Sequence, residues 1–198
     1  MHILSLVSLL GAATLAASQA ANVTTGKLGD ARPVRNNPVI GERWVAIFNS
    51  STVKGTVTAV AHTVGINYTI DVTGLAVEKG PYKYHVHVRA VPESGDCAET
   101  GGHLDSYVRG DTPPCESSMP QTCEVGDLSG KYGTVAGPDV KKEFNDPYTA
   151  LNKIQLGYIG NRGIVFHDAS SARIACATLN KVEEEEEEEE DEEDDVCS

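Results

Sequence analysis

Residues 1–26 contain no Lys, Arg, Asp or Glu. Past that stretch the sequence has no second long apolar run, so no membrane-spanning helix is expected. The C-terminus ends in acids plus Val196-Cys197-Ser198, so the hydrophobic tail of a glycolipid anchor is not expected either. Nine Pro and 19 Gly in 198 residues are too few for a low-complexity or collagen-like chain. Basic charge is also scarce: 16 Lys and Arg stand against 29 Asp and Glu. Thirteen of those acids form the unbroken run 183–195, and the other 16 match the 16 bases. The body is therefore neutral and the acidity belongs to a tail. A neutral body lacks the basic face that nucleic-acid binding needs, so no nucleic acid is expected as a partner.

The uncharged start has an apolar core, Ile3 to Ala17, and small residues at Ser18 and Ala20 ahead of Ala21. This reads as a secretory signal peptide over 1–20, with no membrane attachment once it is removed. Export fits three glycosylation sequons, at Asn22, Asn49 and Asn67. It also fits five cysteines, Cys97, Cys115, Cys123, Cys176 and Cys197, of which four can form two bridges in an oxidising compartment. Residues 21–42 form an N-terminal segment, 43–180 the body, and 181–198 an acidic tail. The tail is expected to be disordered, because its charges repel and it buries nothing.

The body reads as β. Arg43–Phe48, Val53–His62 and Gly65–Val72 are short runs rich in Val, Ile, Thr and Tyr, separated by turn residues. Tyr82 to Val88 alternates, with Tyr82, Tyr84, Val86 and Val88 on one face and Lys83, His85 and His87 on the other. Gly163–Asp168 and Arg173–Leu179 read as closing strands. Residues 90–135 are rich in Gly, Pro, Ser, Asp and Cys and read as one long loop, a feature that is usually functional or covalently tied. No long amphipathic helix is evident. The fold class is all-β: one antiparallel sandwich or barrel of about 160 residues. Tyr82 and Tyr84 are assigned to the core, Lys131, Lys141 and Lys142 to solvated surface, His62 to a strand end, and Asp127 to loop capping.

Six His occur, one of them in the signal region. His85-Val86-His87 matters because residues i and i+2 of a strand project the same way, so both imidazoles can reach one metal. The surrounding strings are Cys97-Ala98-Glu99-Thr100-Gly101-Gly102-His103, Gly126-Asp127-Leu128, Gly163-Ile164-Val165-Phe166-His167 and Arg173-Ile174-Ala175-Cys176. In this order and spacing the chain resembles the Cu/Zn superoxide dismutase family, from about Arg43 to Asn180. The resemblance implies a Greek-key β-barrel. It implies copper bound by His85, His87, His103 and His167, a disulfide between Cys97 and Cys176, and an active-site arginine at Arg173. Imidazole suits copper in both oxidation states, and a permanently charged guanidinium beside it would attract and orient superoxide.

The departures from that family carry information too. No His lies between His103 and His167, and the position of a zinc-binding His is taken by Glu124. One carboxylate, Asp127, does not make a zinc site. Only Asp168 to Ala172 separates His167 from Arg173, where zinc-containing members have a long charged loop. Both features resemble the secreted copper-only superoxide dismutases of fungi. That resemblance implies one copper per chain, no zinc, a monomer, and a hydrogen bond from His103 to Glu124. Cys115 and Cys123 would form a second, local bridge. The expected function is extracellular dismutation of superoxide to O2 and hydrogen peroxide, with Arg173, Glu124 and His103 as catalytic residues and the cell wall as a place of attachment. The alternative is a copper-binding or copper-buffering module with little turnover.

Overall fold

The computed structural model describes residues 24–183. The expected signal peptide, Asn22, most of the acidic run and Cys197 lie outside them. Among the described residues are seven strands: β1 (Arg43–Asn49), β2 (Lys54–Ala61), β3 (Ile66–Thr73), β4 (Lys83–Val86), β5 (Val140–Asp146), β6 (Gly163–His167) and β7 (Arg173–Lys181). They form one sheet in the order β4-β6-β7-β1-β2-β3-β5, with every neighbouring pair antiparallel. The all-β expectation holds.

Alternation decides which face is buried. On β1, Trp44, Ala46 and Phe48 point inward while Ile47 faces solvent. On β3, Ile66, Tyr68, Ile70 and Val72 point inward. A one-residue slip in register would expose each set. The sheet is rolled upon itself. Tyr84 of β4 and Phe144 of β5 come from opposite ends of the strand order, yet their rings lie 6.0 Å apart. Tyr84 also lies 6.0 Å from Phe166, which Phe48 meets edge-on at 5.3 Å. The two edge strands thus close over one aromatic core, as the assignment of Tyr82 and Tyr84 to the core requires.

Three local readings change. β5 was not legible as a strand because Lys141, Glu143 and Asn145 occupy its outer face, leaving few apolar residues to mark it. β4 is shorter than the alternation suggests: it ends at Val86, beyond which His87 bridges to His103. Val88 consequently lies at the surface instead of in the core. Lys131 is not solvated; its side chain is buried against Asp146. Lys141 is exposed, and Lys142 donates to the carbonyls of Tyr132 (2.6 Å) and Gly133 (3.3 Å).

The long segment between β4 and β5 is ordered by short elements. It holds 3-10 turns at Cys97–Thr100 and Pro120–Thr122 and one helix, α1 (Leu128–Tyr132), which Asp127 caps by accepting from the Gly130 N–H. Disulfides join Cys97 to Cys176 and Cys115 to Cys123. The N-terminal segment is fastened across the barrel. Val34 donates to the Pro147 carbonyl, and the Asn37 side chain donates to the Gly65 carbonyl while accepting from the Leu151 N–H, at 2.8–2.9 Å.

Candidate metal centre

β4 places His85 and His87 on the side opposite Tyr84 and Val86, as period-two alternation requires. His167 ends β6, where the β6–β7 register shifts between Phe166 and His167. Such an irregularity re-aims a side chain. His103 enters from the loop through its bridge to His87. One nitrogen from each of the four rings lies within 4.8 Å of the others, and among the described residues this is the group of His, Cys, Asp and Glu able to hold a metal. His87 Nε2 and His167 Nε2 are 3.2 Å apart.

The opposite nitrogen of each ring has its own partner. His85 Nε2 meets Asp127 Oδ1 at 3.3 Å and Ser129 Oγ at 3.1 Å. His87 Nδ1 donates to the Gly101 carbonyl at 2.8 Å. His103 Nδ1 donates to Glu124 Oε2 at 2.6 Å. His167 Nδ1 donates to the Ser171 carbonyl at 3.3 Å. An imidazole that donates from one nitrogen presents a lone pair on the other. The lone pairs are therefore His85 Nδ1 and the Nε2 atoms of His87, His103 and His167. His85 Nδ1 is buried with no hydrogen-bond partner. A buried polar atom without a partner calls for an explanation, and a cation shared with the three Nε2 atoms supplies one. Four neutral imidazoles with outer hydrogen-bond partners fit copper and similar transition metals.

Burial favours the neutral form of His85, His87 and His167. Desolvation is the largest effect at both His87 and His167, and it lowers them from 6.5 to about 3 and about 4. His85 is lowered for the same first reason, partly offset by its bond to Asp127. Burial is the largest single effect on Asp127 and works to raise it, but the hydrogen bond and charge of His85, the Gly130 N–H and His103 together outweigh it and hold the carboxyl at about 2. Asp127 thus does two things, capping α1 and holding His85; its sequence position pointed only to the first.

Arg173 and the disulfide meet beside the cluster. Arg173 Nη1 donates to the carbonyls of Cys97 (2.6 Å) and Ala98 (3.0 Å) and to Thr100 Oγ1 (3.2 Å), and Nη2 donates to the Gly101 carbonyl (2.6 Å). A guanidinium carries five N–H donors, so the Nε–H and one Nη2–H stay free for an anion. The Gly101 carbonyl receives both His87 and Arg173, from a turn with φ +78°, where a Cβ would lie 2.7 Å from Val88 Cγ2. Only glycine suits that position. A cavity of about 450 Å³ opens over His85, His103 and His167, and Arg173 and Lys83 line it. The short turn Asp168–Ala172 leaves the cavity open; Asp168 ties it by accepting from the N–H groups of Ser170 (2.9 Å) and Ala172 (3.0 Å).

The structure therefore gathers His85, His87, His103, His167, Glu124 and Arg173 at one place, next to Cys97–Cys176. Cys115 also lines the cavity, through its bridge to Cys123. Asn49 and Asn67 are exposed on β1 and β3, away from the cavity lining, and His62 is exposed beyond the end of β2. Sequence reasoning missed Ser129, Thr100, Gly101 and Ser171, which act through backbone carbonyls or hydroxyls and carry no spacing signal. It also missed Lys83, although that residue shares the His85 face of β4.

No protein-family model matches the chain. It is 34% identical over 187 residues to the cell surface Cu-only superoxide dismutase of Arthroderma benhamiae, an alignment covering 78% of this chain and 50% of that protein. It is 35% identical over 140 residues to cell surface Cu-only superoxide dismutase 5 of Candida albicans, covering 69% and 58%. The chain thus spans about half the length of these curated relatives. Among solved structures, the Cu(II) form of Candida albicans superoxide dismutase 5 aligns with a TM-score of 0.66 and 32% identity, over 73% of this chain and 95% of that one.

Proposed function

The chain belongs to the superoxide dismutase family, and from that premise we propose that it is an extracellular, copper-only superoxide dismutase. It binds one copper and no zinc, works as a monomer, and acts at the cell surface. The observation that carries this reading is the convergence of four lone pairs whose opposite nitrogens are each held by a separate acceptor.

Copper held by His85, His87, His103 and His167 would supply a one-electron couple that takes an electron from one superoxide and gives one to another, yielding O2 and, with two protons, hydrogen peroxide. The protein's part is positioning and charge. Arg173, fixed by four acceptors, offers its free N–H groups to an anion entering the cavity. Lys83 adds a second positive charge at the rim, 3.4 Å from Ser171 Oγ. Glu124 accepts from His103 Nδ1, which keeps the proton there and the Nε2 lone pair facing its neighbours.

The donor set supports the absence of zinc. Among the described residues no second cluster of metal-ligating side chains accompanies the four His. Glu124 stands where a zinc ligand would, and it is committed to His103. Asp127 is committed to His85 and to the Gly130 N–H. Relatives named as cell-surface enzymes support the location. A copper store without turnover would have no use for an arginine held at the cavity wall.

The test is superoxide decay measured with and without copper loading, together with metal analysis. The loaded protein should be active with copper near one per chain. His85→Ala and His167→Ala should each lose most of the copper and essentially all activity. Full activity in either variant, or activity that tracks zinc, would refute the assignment.

A further inference from the structure

Lys131 and Asp146 form an ion pair with both side chains wholly shielded from solvent. Charges taken out of water lose hydration that their attraction recovers only with further hydrogen bonds. An apolar pair of similar volume is often as stable or more so. Stability alone therefore does not account for this pair, and its contacts suggest another role. Lys131 Nζ donates to Asp146 Oδ2 and, at 2.8 Å, to the carbonyl of Val125. Asp146 Oδ1 accepts from the N–H groups of Tyr148 (2.7 Å) and Thr149 (3.0 Å). The ammonium also lies 5.7 Å and 5.6 Å from the ring centroids of Tyr132 and Tyr148. One lysine thus fastens segment 124–132 to the end of β5.

That segment carries the outer partners of two metal-site imidazoles. Glu124, which holds His103, precedes Val125, whose carbonyl Lys131 grips. Asp127, which caps α1, and Ser129, in its first turn, hold His85, and Lys131 belongs to the same helix. From the other side, backbone bonds tie Gly126 to Leu104 and Val86 at 2.8–2.9 Å. The segment is held at its centre by β4 and at its far side by the buried ammonium. We propose that Lys131 and Asp146 are positioning residues for the copper site: they fix Glu124, Asp127 and Ser129, and through them the orientation of His103 and His85. The inference rests on reading the four His as the copper site.

The variant Lys131→Met/Asp146→Asn removes both charges together and keeps a side-chain acceptor for Tyr148 and Thr149. Copper affinity, measured by competition with a chelator, should fall about tenfold, the lower end of what changes to outer partners of metal ligands produce. The Cu(II) electron paramagnetic resonance spectrum should change its parallel hyperfine splitting. In the metal-free protein the His103 Nδ1 proton should exchange faster with water. A folded variant with unchanged affinity and spectrum overturns the role of the pair and leaves the copper site standing. A parent protein that binds no copper overturns both. Hydrogen exchange on the parent provides a test that does not depend on any variant folding. The amides of Gly130 and Lys131 should open together with those of Tyr148 and Thr149, and α1 amides that open well before the other two would overturn the proposal.

Discussion

The metal-free protein should keep its stability down to about pH 6.5 and lose it as pH falls from there to 4.5, and the loss should come from the His cluster. His87 and His167 are depressed from 6.5 to about 3 and about 4, chiefly by desolvation. Where a folded-state pKa lies below the unfolded one, the unfolded chain takes up the proton first. Stability is then complete above 6.5 and is lost as pH falls toward the folded value. At pH 4.5 each ring is still mostly neutral in the folded protein while its unfolded counterpart is protonated. That pH is about two units below the unfolded value, so each ring costs about 2.7 kcal/mol at 1.36 kcal/mol per unit. The two together cost about 5 kcal/mol, and His85 is depressed in the same direction. Small domains have only about 5–15 kcal/mol in all, so the metal-free form should be near unfolding at pH 4.5. Asp127 does not obscure the window: held at about 2, it loses its contribution only below its ordinary value of 3.8. The assay is urea unfolding in the presence of a chelator at three pH values. A stability that is flat or rising between pH 7.5 and 4.5 would show that the rings are not held neutral by burial.

Three further outcomes follow from the site. Glu124→Ala should keep near-normal copper at saturation but lose activity about 10–100-fold, and chelators selective for zinc should leave the parent unaffected; an unimpaired variant removes Glu124 from the mechanism. Replacing Cys97 and Cys176 by Ser opens a loop of 79 residues, which costs about 4–5 kcal/mol on the chain-entropy model. It should also slow turnover, because Arg173 is held by the Cys97 carbonyl; native mass mapping that pairs Cys97 elsewhere would contradict this. Arg173→Ala should slow turnover about tenfold and flatten its dependence on ionic strength, and an unchanged salt profile would assign the attraction to other charges.

The strands with clean alternation and β-branched residues were legible because burial of one face imposes that pattern. β1, β2, β3 and β7 fall close to the runs read from the sequence, and so does β6, which is buried at every position and reads as a short continuous apolar run. β5 was hidden because its outer face is charged and its inner face ends in Asp146, an acid that sequence reasoning would never place in a core. The four His drew notice through the spacing of one pair and the family resemblance of the rest. The groups that orient them were less visible. The carbonyls of Gly101 and Ser171 have no side-chain signature, and Lys131 reads as surface because an isolated lysine usually is exposed. Its burial depends on Asp146, 15 residues away, and no local pattern announces such a pairing.

The strand register has a consequence for how the centre comes into being. His85 and His87 lie on and just beyond β4, and His167 lies on β6, which pairs with β4 through Lys83 and His167 after more than half of the described residues have intervened. As the chain emerges, three of the four imidazoles exist well before the fourth, and the fourth is delivered only when the last two strands dock. A full set of donors is thus an end-product of folding, not a nucleus for it. Because metal then favours the finished state by mass action, occupancy reads out completion of the barrel. A lesion in β7, far along the chain from His85, should surface first as a shortage of copper.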